Sequence, residues 1–218
     1  METLEKATVA KQPSRHITYH DLRDALAEPG CPLCRRVARA VDRYLRALLY
    51  ESVNDPEVRE GLRASQGFCR QHAWQVQRRA SPLSIAILWR DLLSQELAPE
   101  PSANRRARLC PACAVAAEAE RGHLAALAEH LEAGSLRDEF AASAGLCLPH
   151  LRAALRAAKA GAREFLLAAE SEKIAALREQ LSEIIRKHDY RFRGEPWGRE
   201  KDAWIRATAK LAGEAPEE

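Results

Sequence analysis

Apolar residues recur at helical spacing through almost the whole chain, and no stretch sustains the period-two alternation that a half-buried strand requires. From Cys34 onward Val37, Val41, Tyr44, Leu45, Leu48 and Leu49 share one face, which predicts a long helix with one buried side, stopped at Asn54-Asp55-Pro56. Before it, Thr18-Tyr19-His20-Asp21 resembles a capping box opening a short helix through Ala27, ended by Pro29-Gly30. After it the pattern predicts helices from about Glu57 to Ala64, from Cys69 through Trp74 and Val76, and from Ser81-Pro82. The last of these carries Leu83, Ile85, Ile87, Leu88, Leu92 and Leu93, apolar on so many sides that it is expected to pack between the two halves of the chain.

The same order then recurs. A long helix is predicted from Cys113 to about Glu132, a turn at Gly134-Ser135 and a short helix from Leu136 to Ala142. Another helix follows from His150, broken near Gly161, and a further one from Glu164 to about Lys187. The predicted fold is all-α: two tandem pseudo-repeats of a helical unit plus a C-terminal helix and extension. The expected divisions are a loose arm over residues 1–15, repeats over 16–98 and 105–187, a linker over 99–104 around Pro99-Glu100-Pro101-Ser102, and an extension over 188–218.

The repeat carries chemistry. Cys31-Pro32-Leu33-Cys34 is followed by Cys69-Arg70-Gln71-His72, and Cys110-Pro111-Ala112-Cys113 by Cys147-Leu148-Pro149-His150. Cys31 and Cys110 are 79 positions apart and His72 and His150 are 78 apart, and the two constellations use all six cysteines. Three thiolates and one imidazole in paired C-x-x-C and C-x-x-H spacing are what a closed tetrahedral zinc site takes. Two Cys3His sites holding two Zn2+ are expected, each formed within one half: Cys31, Cys34, Cys69 and His72 in the first, Cys110, Cys113, Cys147 and His150 in the second, with a swap of partners between the halves possible in principle. Gly67 and Gly145 stand two residues before the third cysteine of each set, where a tight turn needs positive φ. Thiolates at helix N-termini also gain from the positive end of the macrodipole. Disulfides or redox C-x-x-C pairs would leave both histidines without a role. Two iron–sulfur clusters with one His ligand each are the alternative cofactor, although familiar cluster runs concentrate their cysteines more tightly.

Composition narrows the class. The chain has 218 residues, 46% hydrophobic and 30% charged, with a net charge of +3, so it reads as a globular protein and not a polycation. No run approaches the ~18 apolar residues of a membrane span. Residues 1–11 hold Glu2, Glu5 and Lys6 and lack the apolar core of a secretory signal, so no membrane role and a cytoplasmic location are expected, where thiols stay reduced.

Glu120-Arg121-Gly122-His123 has the E-x-x-H spacing of carboxylate-bridged di-iron bundles, but such sites need a second copy of the motif, and Tyr44 occupies the matching position. Surface or packing roles are expected for Glu120, His123 and His130. A cysteine enzyme is disfavoured, since catalysis needs one distinct thiol beside a base, whereas each histidine here is tied to three cysteines.

The other unusual stretch lies near the C-terminus. Seven Lys and Arg residues between Arg186 and Arg206 are interleaved with Tyr190, Phe192, Trp197 and Trp204. Such a composition can stack on single-stranded RNA or DNA, or it can pin an extension onto a helical core. Lys187, His188, Tyr190, Arg191, Phe192, Arg193 and Trp197 are the candidate partner-binding residues, with a protein partner favoured over nucleic acid because the chain is barely basic. With Cys-Pro-Leu-Cys, Gly67-Phe68-Cys69-Arg70-Gln71-His72 and Lys187-His188-Asp189-Tyr190-Arg191-Phe192, the chain resembles, from about Tyr19 to Gly213, an uncharacterised bacterial family classed only as a domain of unknown function. The resemblance implies no activity or substrate, and marks Lys187 to Phe192 as a family signature. The expected function is a metal-stabilised helical binding or scaffold module, with iron–sulfur electron transfer or redox sensing as the alternative.

Overall fold

Prolines open many of the helices, because fixed φ and a missing N–H cost nothing in a first helical turn. The computed structural model describes residues 17–96 and 109–215, so the arm expected over 1–15 and the linker over 99–104 lie outside the described residues. Among the described residues there is no strand, and the helices are α1 (Ile17–Ala27), α2 (Pro32–Glu51), α3 (Pro56–Ala64), α4 (Arg70–Arg79), α5 (Pro82–Glu96), α6 (Pro111–Glu132), α7 (Arg137–Ala142), α8 (Leu148–Ala157), α9 (Ala160–Lys187) and α10 (Ala203–Ala212). Asp55 caps α3, its Oδ1 accepting from the N–H groups of Glu57 at 2.8 Å and Val58 at 3.2 Å. The duplication is visible in the elements: α4 and α8 are ten residues each, begin after Cys69 and Cys147, and are followed by Ala80 and Ala158 as C-caps.

Three expectations change. The break after α8 falls at residues 158–159, and Gly161 lies inside α9, where the Glu132 carboxylate accepts from Ala162 N–H at 2.6 Å and supplies the missing cap. Helix α5 is not buried on all sides, because Leu88 is enclosed while Leu83 and Leu93 are exposed. Its place is in the core of one unit, with Arg59 and Arg63 of α3 both bonded to its Asp91. Helix α10 falls where only an extension was expected.

The chain divides into two compact units. The first joins residues up to Arg35 with Gly122–Ala215, and the second holds Arg36–Arg121. These are not the sequential halves 16–98 and 105–187. Helix α2 gives its first residues to one unit and the rest to the other, and α6 does the same in the opposite sense. The first unit is built on Tyr19, Leu22, Leu26, Leu33, Leu127, Leu131, Leu136, Phe140 and Leu166. The second is built on Val41, Leu45, Leu48, Leu62, Val76, Leu88 and Ala112. No described helix is long and apolar enough to cross a membrane.

Candidate metal centres

Each unit holds one Cys3His cluster, and neither cluster is the one expected from the halves. Cys31, Cys34, Cys147 and His150 converge in the first unit, and Cys69, His72, Cys110 and Cys113 in the second, with the ligand atoms of each set within 4.8 Å of one another. The C-x-x-C of each repeat therefore meets the C-x-x-H of the other. The reason is helix length. Helix α2 has 20 residues and spans about 30 Å at 1.5 Å per residue, while the nine-residue α3 that follows returns only about 14 Å. A straight helix of that length carries Cys31 and Cys34 beyond the reach of Cys69, and α6 with α7 repeats the mismatch at 22 and 6 residues.

Local backbone geometry is the same in both. Cys69 and Cys147 are the extended residues just before α4 and α8, and His72 and His150 sit in the first turns of those helices. Cys31 and Cys110 precede the prolines that open α2 and α6. Gly67 and Gly145 adopt φ of +82° and +78°, as the turn before each third cysteine demands. At Gly145 a Cβ would also collide with a Glu170 carboxylate oxygen. Two helix N-termini thus face each cluster. A dication held by three thiolates keeps one net negative charge, which those positive helix ends stabilise.

Within the first cluster the sulfurs of Cys147, Cys31 and Cys34 lie 3.1, 3.4 and 3.4 Å from His150 Nδ1, and Cys34 and Cys147 are 3.7 Å apart. In the second, Cys69, Cys113 and Cys110 lie 3.2, 3.3 and 3.5 Å from His72 Nδ1, and Cys69 and Cys113 are 3.7 Å apart. A tetrahedral ion with Zn–S near ~2.3 Å and Zn–N near ~2.1 Å puts its sulfurs about 3.8 Å apart and sulfur and nitrogen about 3.6 Å apart. The donor set and spacing fit one ion per site, bound through three Sγ and one Nδ1.

The electrostatics also call for a cation. Hydrogen bonds from Cys147 and Cys34 hold the Cys31 thiol far below the usual range, and the same contacts with Cys147 and Cys31, aided by burial, push Cys34 up. Burial pulls His150 down, but the sulfurs of Cys147 and Cys31 outweigh it and raise the imidazole to about 10. In the second cluster burial, with Cys69 and Cys110 beside it, raises Cys113 to about 12, and burial lowers His72. Cys31 and Cys69 are drawn toward the thiolate, whereas Cys34 and Cys113 hold their protons until a dication replaces them.

The two sites differ in cover. Cys147 is 2% exposed, whereas Cys69 is an exposed residue. Gly213 lies so close to the first cluster that a Cβ there would meet Cys34 Sγ at 3.4 Å and Cys147 Sγ at 3.9 Å, and Glu214 accepts from Cys31 N–H at 2.8 Å. Helix α10 holds this segment in place. Its Lys210 pairs with Glu170, a carboxylate 1% exposed that also accepts from Leu146 N–H at 2.6 Å. Sequence reasoning missed Glu170, Lys210, Gly213 and Glu214. The position matching Glu170 in the first repeat is Leu92, so comparing the repeats would have marked it as a charge at a core position.

Glu120 and His123 join neither cluster, and His130 Nδ1 lies 2.9 Å from Ser135 Oγ with its ring against Tyr19. The C-terminal candidates are largely tied to one another. Lys187 is buried, donating to Glu200 at 2.6 Å and to Pro196 C=O at 2.7 Å, and its ammonium lies over Trp197. His188 packs on Trp197, and the Arg186 guanidinium lies over Phe192 while bonded to Glu183 and Glu195. Arg191 pairs with Asp189 at 2.7 Å. Tyr190 is 83% exposed and Trp197 47% exposed, and Arg193 is exposed as well.

The family model for a family of unknown function (DUF6062) matches residues 14–100 and again 100–218. The chain is also 28% identical over 173 residues to an "Uncharacterized 23.9 kDa protein in xynA 3'region" of Caldicellulosiruptor sp. (strain Rt8B.4), covering 75% of this chain and 85% of that one. No solved structure matches. Carrying both family matches in tandem, the chain belongs to the family of unknown function DUF6062.

Proposed function

We propose that this is a cytoplasmic helical scaffold whose two Cys3His sites each hold a structural Zn2+, and which acts by binding a protein partner. The observation that carries the metal reading is the sulfur–sulfur spacing of 3.7 Å in both clusters, together with the single-ion fit of all four donors. A cubane cluster would hold its ligand sulfurs apart across its own width, so the spacing favours one ion over an iron–sulfur cluster. The partner reading is supported by the pairing of Arg186, Lys187 and Arg191 with carboxylates, which leaves little uncompensated charge for phosphates.

Metal analysis and a visible spectrum of protein purified without oxygen test the metal reading. Two zinc per chain and no colour are expected, while brown protein absorbing in the visible, with iron and sulfide, would overturn it. Because each site joins segments far apart in sequence, Cys69→Ala and Cys147→Ala are each expected to lower the melting temperature. Unchanged melting after complete metal loss would count against a structural role.

A further inference from the structure

The two units share a slot that is filled in one and, among the described residues, open in the other. In the first unit α1 lies on α6 and α7, burying Tyr19, Leu22 and Leu26 among Leu127, Leu131, Leu136 and Phe140. Arg35 of α2 closes the end of the helix by donating to Ala25 C=O at 3.1 Å. By the offsets of the duplication, the matching positions in the second unit are Leu48, Ser52, Val58, Leu62 and Ala114. All five line one mainly apolar groove of about 490 Å3, together with Tyr44 and Leu109.

Among the described residues no segment fills it. Ala98, Pro101 and Arg105 stand where the first repeat has Tyr19, Leu22 and Leu26, so the sequence does not repeat the aromatic–leucine–leucine pattern. Leu109, at the rim, is 63% exposed. The duplication therefore keeps Leu48, Val58 and Leu62 apolar on the receiving surface without repeating the Tyr-Leu-Leu pattern, and the filled unit shows what such a surface takes.

We propose that this groove docks an amphipathic helix of a partner protein bearing an aromatic residue and two leucines at i, i+3 and i+7, the spacing of Tyr19, Leu22 and Leu26. This rests on the scaffold reading and names the kind of partner. It does not depend on which ion fills the sites, and the metal assay stands or falls without it.

The probe is a fluorescent synthetic peptide copying residues 17–28, with a photoreactive group at its exposed Arg23 position, added to the full metal-loaded chain. Saturable binding is expected, with crosslinks to α3 and to residues 109–114. A Leu22→Asp peptide should bind at least ten-fold more weakly. Leu109→Glu and Ala114→Glu in the protein should each weaken the parent peptide at least ten-fold; both positions are exposed, and unchanged helicity and metal content will verify the fold. Three results would each overturn the proposal: no saturable binding or equal affinity for the Leu22→Asp peptide; crosslinks confined to α7 and residues 122–132, which mean displacement of α1; or a dimer of the protein alone that the peptide dissociates, which makes a second copy the occupant.

Discussion

Glu170 shows what a single residue does in this fold. It is a carboxylate 1% exposed, held by Leu146 N–H and by Lys210, at the position where the first repeat has Leu92. Removing one partner of such a pair leaves an uncompensated buried charge, so Lys210→Met is expected to cost about 3–5 kcal/mol. The double variant Glu170→Leu with Lys210→Met should recover most of that loss, since a well-packed apolar pair often matches a buried ion pair. Urea unfolding of the four proteins of this cycle measures the coupling, and additive losses would show that the pair does not hold α10 down. At this scale the sequence was readable where chemistry is local: the eight ligands stand out because C-x-x-C and C-x-x-H recur at matching offsets, and Gly67 and Gly145 because a turn there needs positive φ. Glu214 was not readable, because its partner is 183 residues distant and nothing in its own neighbourhood marks it, and Glu170 was readable only by setting it against Leu92 of the other repeat.

Among the elements, apolar periodicity together with caps, turns and the repeat order located nine of the ten described helices, and the exception has a physical reason. Helix α10 faces inward with Ala203 and with Lys210 on its salt bridge, and turns Trp204, Ile205 and Leu211 outward, so no buried apolar stripe exists to be read. Ligand pairing was misread for a different reason: motif spacing says nothing about direction, whereas the rise of a 20-residue helix does. What fixes α3 on α5 is the convergence of Arg59 at 2.7 Å and Arg63 at 2.9 Å on Asp91, whose pKa Arg59 and then Arg63 draw below the ordinary carboxylate value. A depressed folded-state pKa contributes stability that is present above the unfolded value near ~3.9 and is lost as pH falls through the lower folded value. Asp91→Asn is therefore expected to cost about 1–2 kcal/mol at pH 7, and the difference from the parent protein should shrink as pH falls toward 3. Metal leaves both proteins alike in acid, so the difference isolates the ion pair. A constant difference from pH 7 to pH 3 in urea midpoints would refute this.

Over the whole molecule, duplication gives two nearly equal candidate metal sites, and α10, which has no counterpart in the first repeat among the described residues, makes them unequal. Cys147 is enclosed, with Gly213 packed against the sulfurs and Glu214 capping Cys31 N–H, whereas Cys69 is exposed and no carboxylate meets Cys110 N–H among the described residues. A chelator must reach a ligand sulfur or the ion to displace it, so access, more than the shared donor set, should set the rate. With a chromogenic chelator at pH 7, the zinc-loaded protein is expected to release one equivalent at least ten-fold faster than the other. Assignment follows from alkylation during the fast phase, where mass spectrometry should find label on Cys69, Cys110 and Cys113 before Cys31, Cys34 and Cys147. Shortening the chain to end at residue 202 removes α10 and the Gly213 cover, which should bring the slow phase close to the fast one without accelerating the fast one. Equal release of both equivalents from the full chain, or early labelling of Cys31 and Cys147, would mean that ligand chemistry and not cover controls the exchange.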